Sequence, residues 1–454
     1  MTGATTTVLP TRDDATLQCA AEVLGGPAGR RVAPGRSWWN PLRILLALAV
    51  LSMALGVVER DPCQAHAWSR SDGQQYAHVC YSDIPQLYRE RGFAQGDRPY
   101  LDSGDYQPLE YPVLTGFFMQ VAAVITRPLA GAGIDAQAVR FYDVNAVLLG
   151  LAGLVLVGAT VLLAGRRPWD ALALAASPVL ALDATINWDL FAAGLTGVGM
   201  VAWSRRRPGW AGVWLGLAVS AKLYPIVLLV PLGFLCLRTR QTAVFARTVA
   251  FAAAAWAVVN VPIVLVAPTA WREFYTFNAH RGADFGSIWF ALDKAGHPVG
   301  ALNLISGALT ALGLLAVGLL ALWAPTRPRF ASLAFLAVAV FVMVNKVWSP
   351  QYDLWLLPLA VLARPRLRDL AIWQSGSVVY FIGVWLYLLG GYDRGLSQGG
   401  YDVVLVLHLF CLLWLVGVVV RDVIQPDCDP VRASGVEDPT AGLLAPATPT
   451  AVLA

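Results

Sequence analysis

Residues 80–88 read Cys-Tyr-Ser-Asp-Ile-Pro-Gln-Leu-Tyr, within a polar segment, 59–110, that runs through Pro99-Tyr100 to Glu110-Tyr111-Pro112. What surrounds this segment decides the fold. Before it lies one apolar span, 41–58, and after it the chain is an almost unbroken series of apolar runs. Runs of that length cross ~30 Å of hydrocarbon as helices. A polar loop this long in a compact membrane protein is usually there for function rather than connection. The reading is therefore an all-α polytopic membrane protein whose chemistry sits in its first large loop.

Composition agrees. Of 454 residues, 57% are hydrophobic and 14% charged, which argues against a soluble fold. The net charge of +4 gives no reason to expect a nucleic-acid partner. Only Lys222, Lys294 and Lys346 are lysines; arginine supplies the other basic residues.

Arginine placement orients the helices, because basic residues concentrate on the cytosolic side. Clusters fall at Arg166-Arg167, Arg205-Arg206-Arg207, Arg238/Arg240/Arg247, Arg327/Arg329, Arg364/Arg366/Arg368 and Arg421. The 59–110 loop instead holds nine acidic and five basic residues, as expected of an extracytoplasmic loop. Threading the chain through these constraints predicts about twelve crossings, near 41–58, 141–164, 168–183, 188–203, 208–221, 223–237, 244–266, 298–324, 329–345, 351–363, 369–389 and 401–420. Both termini are then cytosolic. Segment 111–127 is apolar, but counting it as a crossing would put Arg166-Arg167 outside, so it is read as a juxtamembrane helix. The run 209–237 is read as two short helices broken at 220–225, a tolerated device where broken helices line a cavity. Residues 41–420 form the membrane domain, and 1–40 and 421–454 read as disordered cytosolic tails. The span at 41–58 follows Arg30, Arg31 and Arg36, carries Arg43 at its start and shows no cleavage site, which predicts an uncleaved first helix.

With this topology Asp83, Glu110, Asp183, Asn187, Asp189, Lys222, His280, Arg281, Lys346 and Gln351 all reach the outer face, with Tyr111, Tyr224 and Tyr352 beside them. Ionisable groups at membrane depth tend to face a cavity or functional site. Each also has a plainer reading. Asp83 can be a general base at a cavity rim or part of a helix start before Pro85. Glu110-Tyr111-Pro112 can orient a sugar hydroxyl or simply open a helix. Asp183 and Asp189 can hold a divalent cation through oxygen ligands or cap a helix. Lys222 can snorkel or neutralise a lipid phosphate. Arg281, next to His280, offers a planar fork for phosphate or a solvated loop. Lys346 and Gln351 are further candidates for phosphate or sugar. Of the six cysteines only Cys63 and Cys80 share the large loop. They pair if it is extracytoplasmic and are otherwise two free thiols.

Taken in order, the Ser-Asp-Ile-Pro run with Tyr88, Pro99-Tyr100, Glu110-Tyr111-Pro112, Asn187-Trp188-Asp189, 221–225 (Ala-Lys-Leu-Tyr-Pro) and 348–352 (Trp-Ser-Pro-Gln-Tyr) resemble the polyprenyl-phosphate-sugar-dependent membrane glycosyltransferases of the GT-C fold. The nearest group is family 87, the actinobacterial α-mannosyltransferases and arabinofuranosyltransferases of the cell envelope, and the resemblance covers about 41–420. It implies an acidic catalytic base in the first external loop, matched here by Asp83, acting on an acceptor hydroxyl of a glycolipid or glycan. The donor is a polyprenyl-phosphate sugar, mannose before arabinose, in the plasma membrane. The reaction inverts the anomeric centre, releases polyprenyl phosphate and requires no cofactor. His280, Arg281, Lys222 and Lys346 are the candidates to stabilise the departing phosphate. A transporter or flippase of lipid-linked glycans is the rival class, although no inverted repeat is visible.

Overall fold

A computed structural model describes residues 39–69, 73–102, 104–392, 394–435 and 438–444. The chain divides into two compact units, Met1–Ile44 and Leu45–Ala454. In the first, residues 39–44 carry the start of a helix, where the Asn40 side-chain oxygen accepts from the Arg43 N–H at 3.0 Å. Of the predicted tail 1–40, residues 1–38 lie outside the described residues.

The described residues contain helices, turns and no strand. Six helices are long and apolar enough to span a membrane: Pro41–Glu59, Ile134–Ala164, Thr242–Val266, Leu302–Trp323, Leu367–Leu388 and Gln398–Ile424. Shorter ones, including Asp189–Ser204, Pro208–Ala221, Phe330–Val344 and Asp353–Ala363, fill the spaces between them. The protein is an all-α polytopic membrane protein. Phe330–Val344 and Asp353–Ala363 are buried along nearly their whole length, so their all-round apolar sequence marks the core of the second unit.

Pro208–Ala221 packs against Thr242–Val266 through Gly212 and Gly216. A Cβ at either glycine would run into the carbonyl oxygens of Thr248 and Ala252, the close approach that small residues four apart permit between membrane helices. After Ala221 the helix stops, because Lys222 is extended (φ −155°, ψ 147°), and a 3₁₀ turn, Tyr224–Leu228, leads into Leu229–Arg238. Thr115 of the Val113–Thr126 helix donates to the freed Ala221 carbonyl at 2.6 Å.

Three features differ from the sequence reading. The predicted crossing 168–183 is not one helix but Pro168–Ala171, Leu172–Ala175 and Pro178–Asp183. Ser177 caps the last of these and Pro178 begins it, which the apolar composition concealed. The loop after Val266 contains two further helices, Pro268–His280 and Ile288–Lys294. Residues 425–435 and 438–444, read as part of a disordered tail, fold onto the helix ends. The cause is charge pairing with the arginines: Arg329 binds Asp429 at 2.6 and 3.0 Å, and Arg327 approaches Asp438 at 3.8 Å. Arg364, also buried, pairs with Asp369 at 2.8 Å and with Asp422 of the last long helix at 2.5 Å. Residues 436–437 and 445–454 lie outside the described residues.

Candidate active site

One end of the second unit holds a cavity of about 720 Å³. Its walls come from the 59–112 loop, the turn after Asp183, the break at Lys222, segment 274–285, the 345–352 turn and the end of Leu367–Leu388.

Asp83 enters this cavity from the first turn of the Asp83–Glu90 helix. Ser82 is the cap, its hydroxyl oxygen accepting from the Ile84 N–H at 3.3 Å while donating to the Thr185 carbonyl at 2.8 Å. The Asp83 N–H donates to Ile186 O at 2.8 Å. The capping role therefore belongs to Ser82, and the Asp83 carboxylate is left for the cavity. Tyr81 donates to its Oδ1 at 2.6 Å. Burial pushes the Asp83 carboxyl up to about 6; the Tyr81 hydroxyl, Lys222 and Arg281 pull the other way, and Glu110 adds to the rise. Burial disfavours the charged form, which gives the group the basicity of a proton acceptor near neutral pH.

The cavity has two other carboxylates among the described residues, and each is engaged by an arginine. Glu110 receives Arg91 through Nε at 2.7 Å and Nη2 at 2.8 Å. Asp284 pairs with Arg281 at 3.1 Å and accepts from Ser349 Oγ at 3.1 Å. Asp83 alone of the three has no arginine bonded to it among the described residues; its side-chain partner is the neutral Tyr81 hydroxyl.

Lys222 pairs with fully buried Asp189 at 2.7 Å. Its ammonium also lies over the rings of Tyr111 (5.2 Å), Tyr352 (5.8 Å) and Trp355 (5.9 Å). Tyr224 stacks on Trp355 at 4.5 Å from below the same group and donates to Thr196 at 3.2 Å. This aromatic surround is of the kind that attracts a cation. Burial drives the Tyr111 hydroxyl well above its ordinary value, and the carboxylates of Asp83 and Asp189 drive it further. Asn187 lines the cavity and orders the turn, its side-chain oxygen accepting from the Asp189 N–H at 3.0 Å.

Arg281 lines the cavity, about one third exposed. Burial opposes its charge, but Asp284 and Tyr352 more than restore it. Lys346 lines the cavity too, yet its ammonium is spent inward, donating to the carbonyls of Arg281 (2.6 Å) and Ala279 (3.3 Å) and to Asn303. Burial pushes it below its usual value. Gln351 contributes a buried side-chain oxygen with no partner among the described residues.

Three residues named from the sequence stand elsewhere. His280 is exposed, its Nδ1 2.8 Å from Thr276 O, and does not line the cavity. Asp189 lies behind Lys222 rather than on the wall. Asp183 is buried beneath the turn. Among the described residues no three His, Cys, Asp or Glu side chains gather as a group able to hold a metal ion. Cys63 and Cys80 form a disulfide, Cα–Cα 5.9 Å, directly before Tyr81. The sequence did not point to Arg91, Asp284, Tyr76, Trp355 or Trp385, all at the site. Arg91 resembles any loop arginine, and Trp355 and Trp385 resemble lipid-facing aromatics.

The profile of glycosyltransferase family 87 matches residues 121–350, a range that holds Asn187, Lys222, Arg281 and Lys346 and begins after Asp83 and Glu110. GPI mannosyltransferase 1 of Saccharomyces cerevisiae is 24% identical over 243 residues, 48% of this chain and 59% of that protein. The match thus spans under two thirds of that relative. With just over half its length matched by the family profile, the chain belongs to glycosyltransferase family 87.

Proposed function

We propose that this glycosyltransferase moves a sugar, mannose in the first reading, from a polyprenyl-phosphate donor to a hydroxyl of a glycolipid or glycan at the outer face of the plasma membrane. The observation that carries the reading is the charge arrangement of one cavity: Asp83 without an arginine or lysine partner among the described residues, in the company of Lys222 and Arg281. Asp83 accepts the proton of the acceptor hydroxyl. The acceptor oxygen forms a bond to the anomeric carbon from one face as the bond to phosphate oxygen breaks on the other. The bonding pair leaves with the phosphate, and the configuration inverts. Arg281, with Lys222 behind it, stabilises the charge on the departing phosphate. The step calls for no cofactor.

A lipid-borne donor suits the surroundings. The cavity adjoins a small crevice of about 20 Å³ lined by Val113, Leu223, Trp256, Trp271 and Phe274 together with Asn260 and Tyr275. The arginine clusters near the opposite helix ends support a cytosolic placement of both termini.

The test uses purified protein in lipid, labelled polyprenyl-phosphate mannose or its arabinose counterpart, and membrane glycolipids as acceptors. Transfer from the mannose donor by wild type and none by Asp83→Asn is expected. Transfer from arabinose alone would replace the donor, and turnover by Asp83→Asn would remove Asp83 from the mechanism. Flipping of lipid-linked glycan without transfer would replace the enzyme reading by a transporter.

A further inference from the structure

Of the five histidines four are exposed, and one, His408, is 1% exposed inside the apolar Gln398–Ile424 helix. An ionisable side chain at membrane depth is costly and tends to serve a site, yet His408 does not line the cavity. Its partners stand at the cavity's edge. His408 Nε2 lies 3.2 Å from Oδ2 of buried Asp353, the residue that follows Tyr352 and begins the core helix Asp353–Ala363. An ionised carboxylate only accepts, so Nε2 carries the proton. The imidazole stacks on Tyr380, with ring centres 4.5 Å apart and 10° between planes, and Trp348 lies against it at 4.5 Å and 44°. The Tyr380 hydroxyl donates to the Trp348 carbonyl at 2.6 Å.

These contacts close on the wall that carries Arg281. Residues 345–352 join Phe330–Val344 to Asp353–Ala363, with Trp348 near the centre of the turn. From this turn Lys346 donates to the Arg281 carbonyl at 2.6 Å and Ser349 Oγ donates to Asp284 Oδ2 at 3.1 Å. The Lys346 carbonyl accepts from the Asp284 N–H at 2.8 Å. Gly286 meets the clamp itself, because a Cβ there would run into the Trp348 carbonyl oxygen and the Tyr380 hydroxyl. Only a residue without a side chain lets the segment after Arg281 sit against the Tyr380–Trp348 hydrogen bond.

We infer that His408 is a positioning residue for the proposed transfer: with Tyr380 and Asp353 it fixes the 345–352 turn, and the turn aims the Arg281 guanidinium at the departing phosphate. An imidazole suits the task because it offers a flat face to Tyr380 and an N–H to Asp353 at once. An aliphatic side chain offers neither. A charge must be well placed to act on a reacting group, and a displacement of about 1 Å costs up to about 100-fold in rate.

The inference rests on the transfer reading, and its test separates the two. Transfer is measured on protein in lipid nanodiscs for His408→Leu, Arg281→Ala and the double variant, per folded molecule. His408→Leu is expected to lower kcat about tenfold, the scale of a misaimed group, with KM for the acceptor unchanged. In the Arg281→Ala background the same change is expected to cost nothing further, since members of one network are not additive. A packing defect alone would lower both backgrounds alike. His408→Gln restores an N–H for Asp353 and retains most of the rate. Tyr380→Phe deletes one hydroxyl, keeps the stack and serves if the Leu variant does not fold; its expected loss is about threefold, again absent beside Arg281→Ala. Additive losses, or wild-type kcat in both His408→Leu and Tyr380→Phe, would overturn the assignment. Binding of farnesyl phosphate, a short polyprenyl phosphate, requires no transfer, and His408→Leu is expected to weaken it about threefold while His408→Gln does not. If wild type transfers no sugar, that binding pattern decides: weaker binding in the Leu variant alone fells the transfer reading and keeps the positioning role, and equal binding in all three proteins overturns the role as well.

Discussion

The Tyr81 hydroxyl donates to Asp83 Oδ1 at 2.6 Å, which couples an aromatic ring of the cavity wall to its least-paired carboxylate. Burial raises the Asp83 carboxyl to about 6, and this hydrogen bond is the largest influence holding it from rising further. A base must be ionised to accept a proton, so kcat/KM is expected to fall as pH drops through about 6. Tyr81→Phe removes a bond made to the charged form. The acid limb then moves to higher pH, by about one unit. A pH–rate profile of both proteins checks this; a limb that stays in place would detach Tyr81 from the ionisation.

Arg281 and its neighbour His280 separate cleanly. Arg281 lines the cavity, whereas His280 is exposed outside it. Arg281→Ala is expected to lower kcat about 100-fold, the scale of losing one group that stabilises developing charge. His280→Ala is expected to leave kcat and KM within twofold of wild type, since an exposed side chain outside the cavity contributes neither charge nor shape to it. Steady-state kinetics on the two variants decides; equal losses would mean that segment 277–281 rearranges when donor binds.

Cys63–Cys80 closes the chain directly before Tyr81 and the base. Cys63→Ser with Cys80→Ser is expected to lower stability by about 3 kcal/mol, as for a loop of similar length, and to depress activity more than donor binding. Thermal unfolding and transfer assays on the double variant check this, with thiol labelling of wild type before and after reduction. An unchanged midpoint would show that packing alone holds the loop.

Much of the fold was legible because membrane helices announce themselves by long apolar runs, and arginines mark where those runs end. The break at Lys222 followed from the same charge logic, since one crossing there would have put Arg238 on the wrong side. What was hidden depends on tertiary partners. The Pro178–Asp183 helix is set by Ser177 and Pro178 inside an apolar run. In the site, individual polar residues stood out against an apolar background, but their pairings did not. Nothing in the local sequence says that Lys346 turns inward to the Arg281 carbonyl, or that Arg91 reaches Glu110 across nineteen positions. Distant partners also explain why Lys222 read as a lone lysine: its surround comes from 111, 189, 352 and 355.

The fold of residues 425–444 yields a prediction of a different kind. Asp429 and Arg329 are both almost fully buried, and Arg329 also donates to the carbonyls of Leu362 (2.8 Å) and Ala363 (2.5 Å) at the end of a core helix. The carboxylate thus neutralises the arginine that satisfies the last carbonyls of Asp353–Ala363. A buried ion pair is weak evidence of net stability, but removing one partner leaves an uncompensated charge and costs about 3–5 kcal/mol. Asp429→Asn is therefore expected to destabilise the protein by that amount, whereas Asp427→Asn is expected to have little effect, because Asp427 is exposed and forms no ion pair among the described residues. Chemical unfolding in mixed micelles measures both. The transfer rate per folded molecule should not change, since the cavity is lined by other segments of the chain. A lower rate at equal folded fraction would mean that the C-terminal segment acts on the site, and equal stability of the two variants would show that Arg329 finds its counter-charge elsewhere.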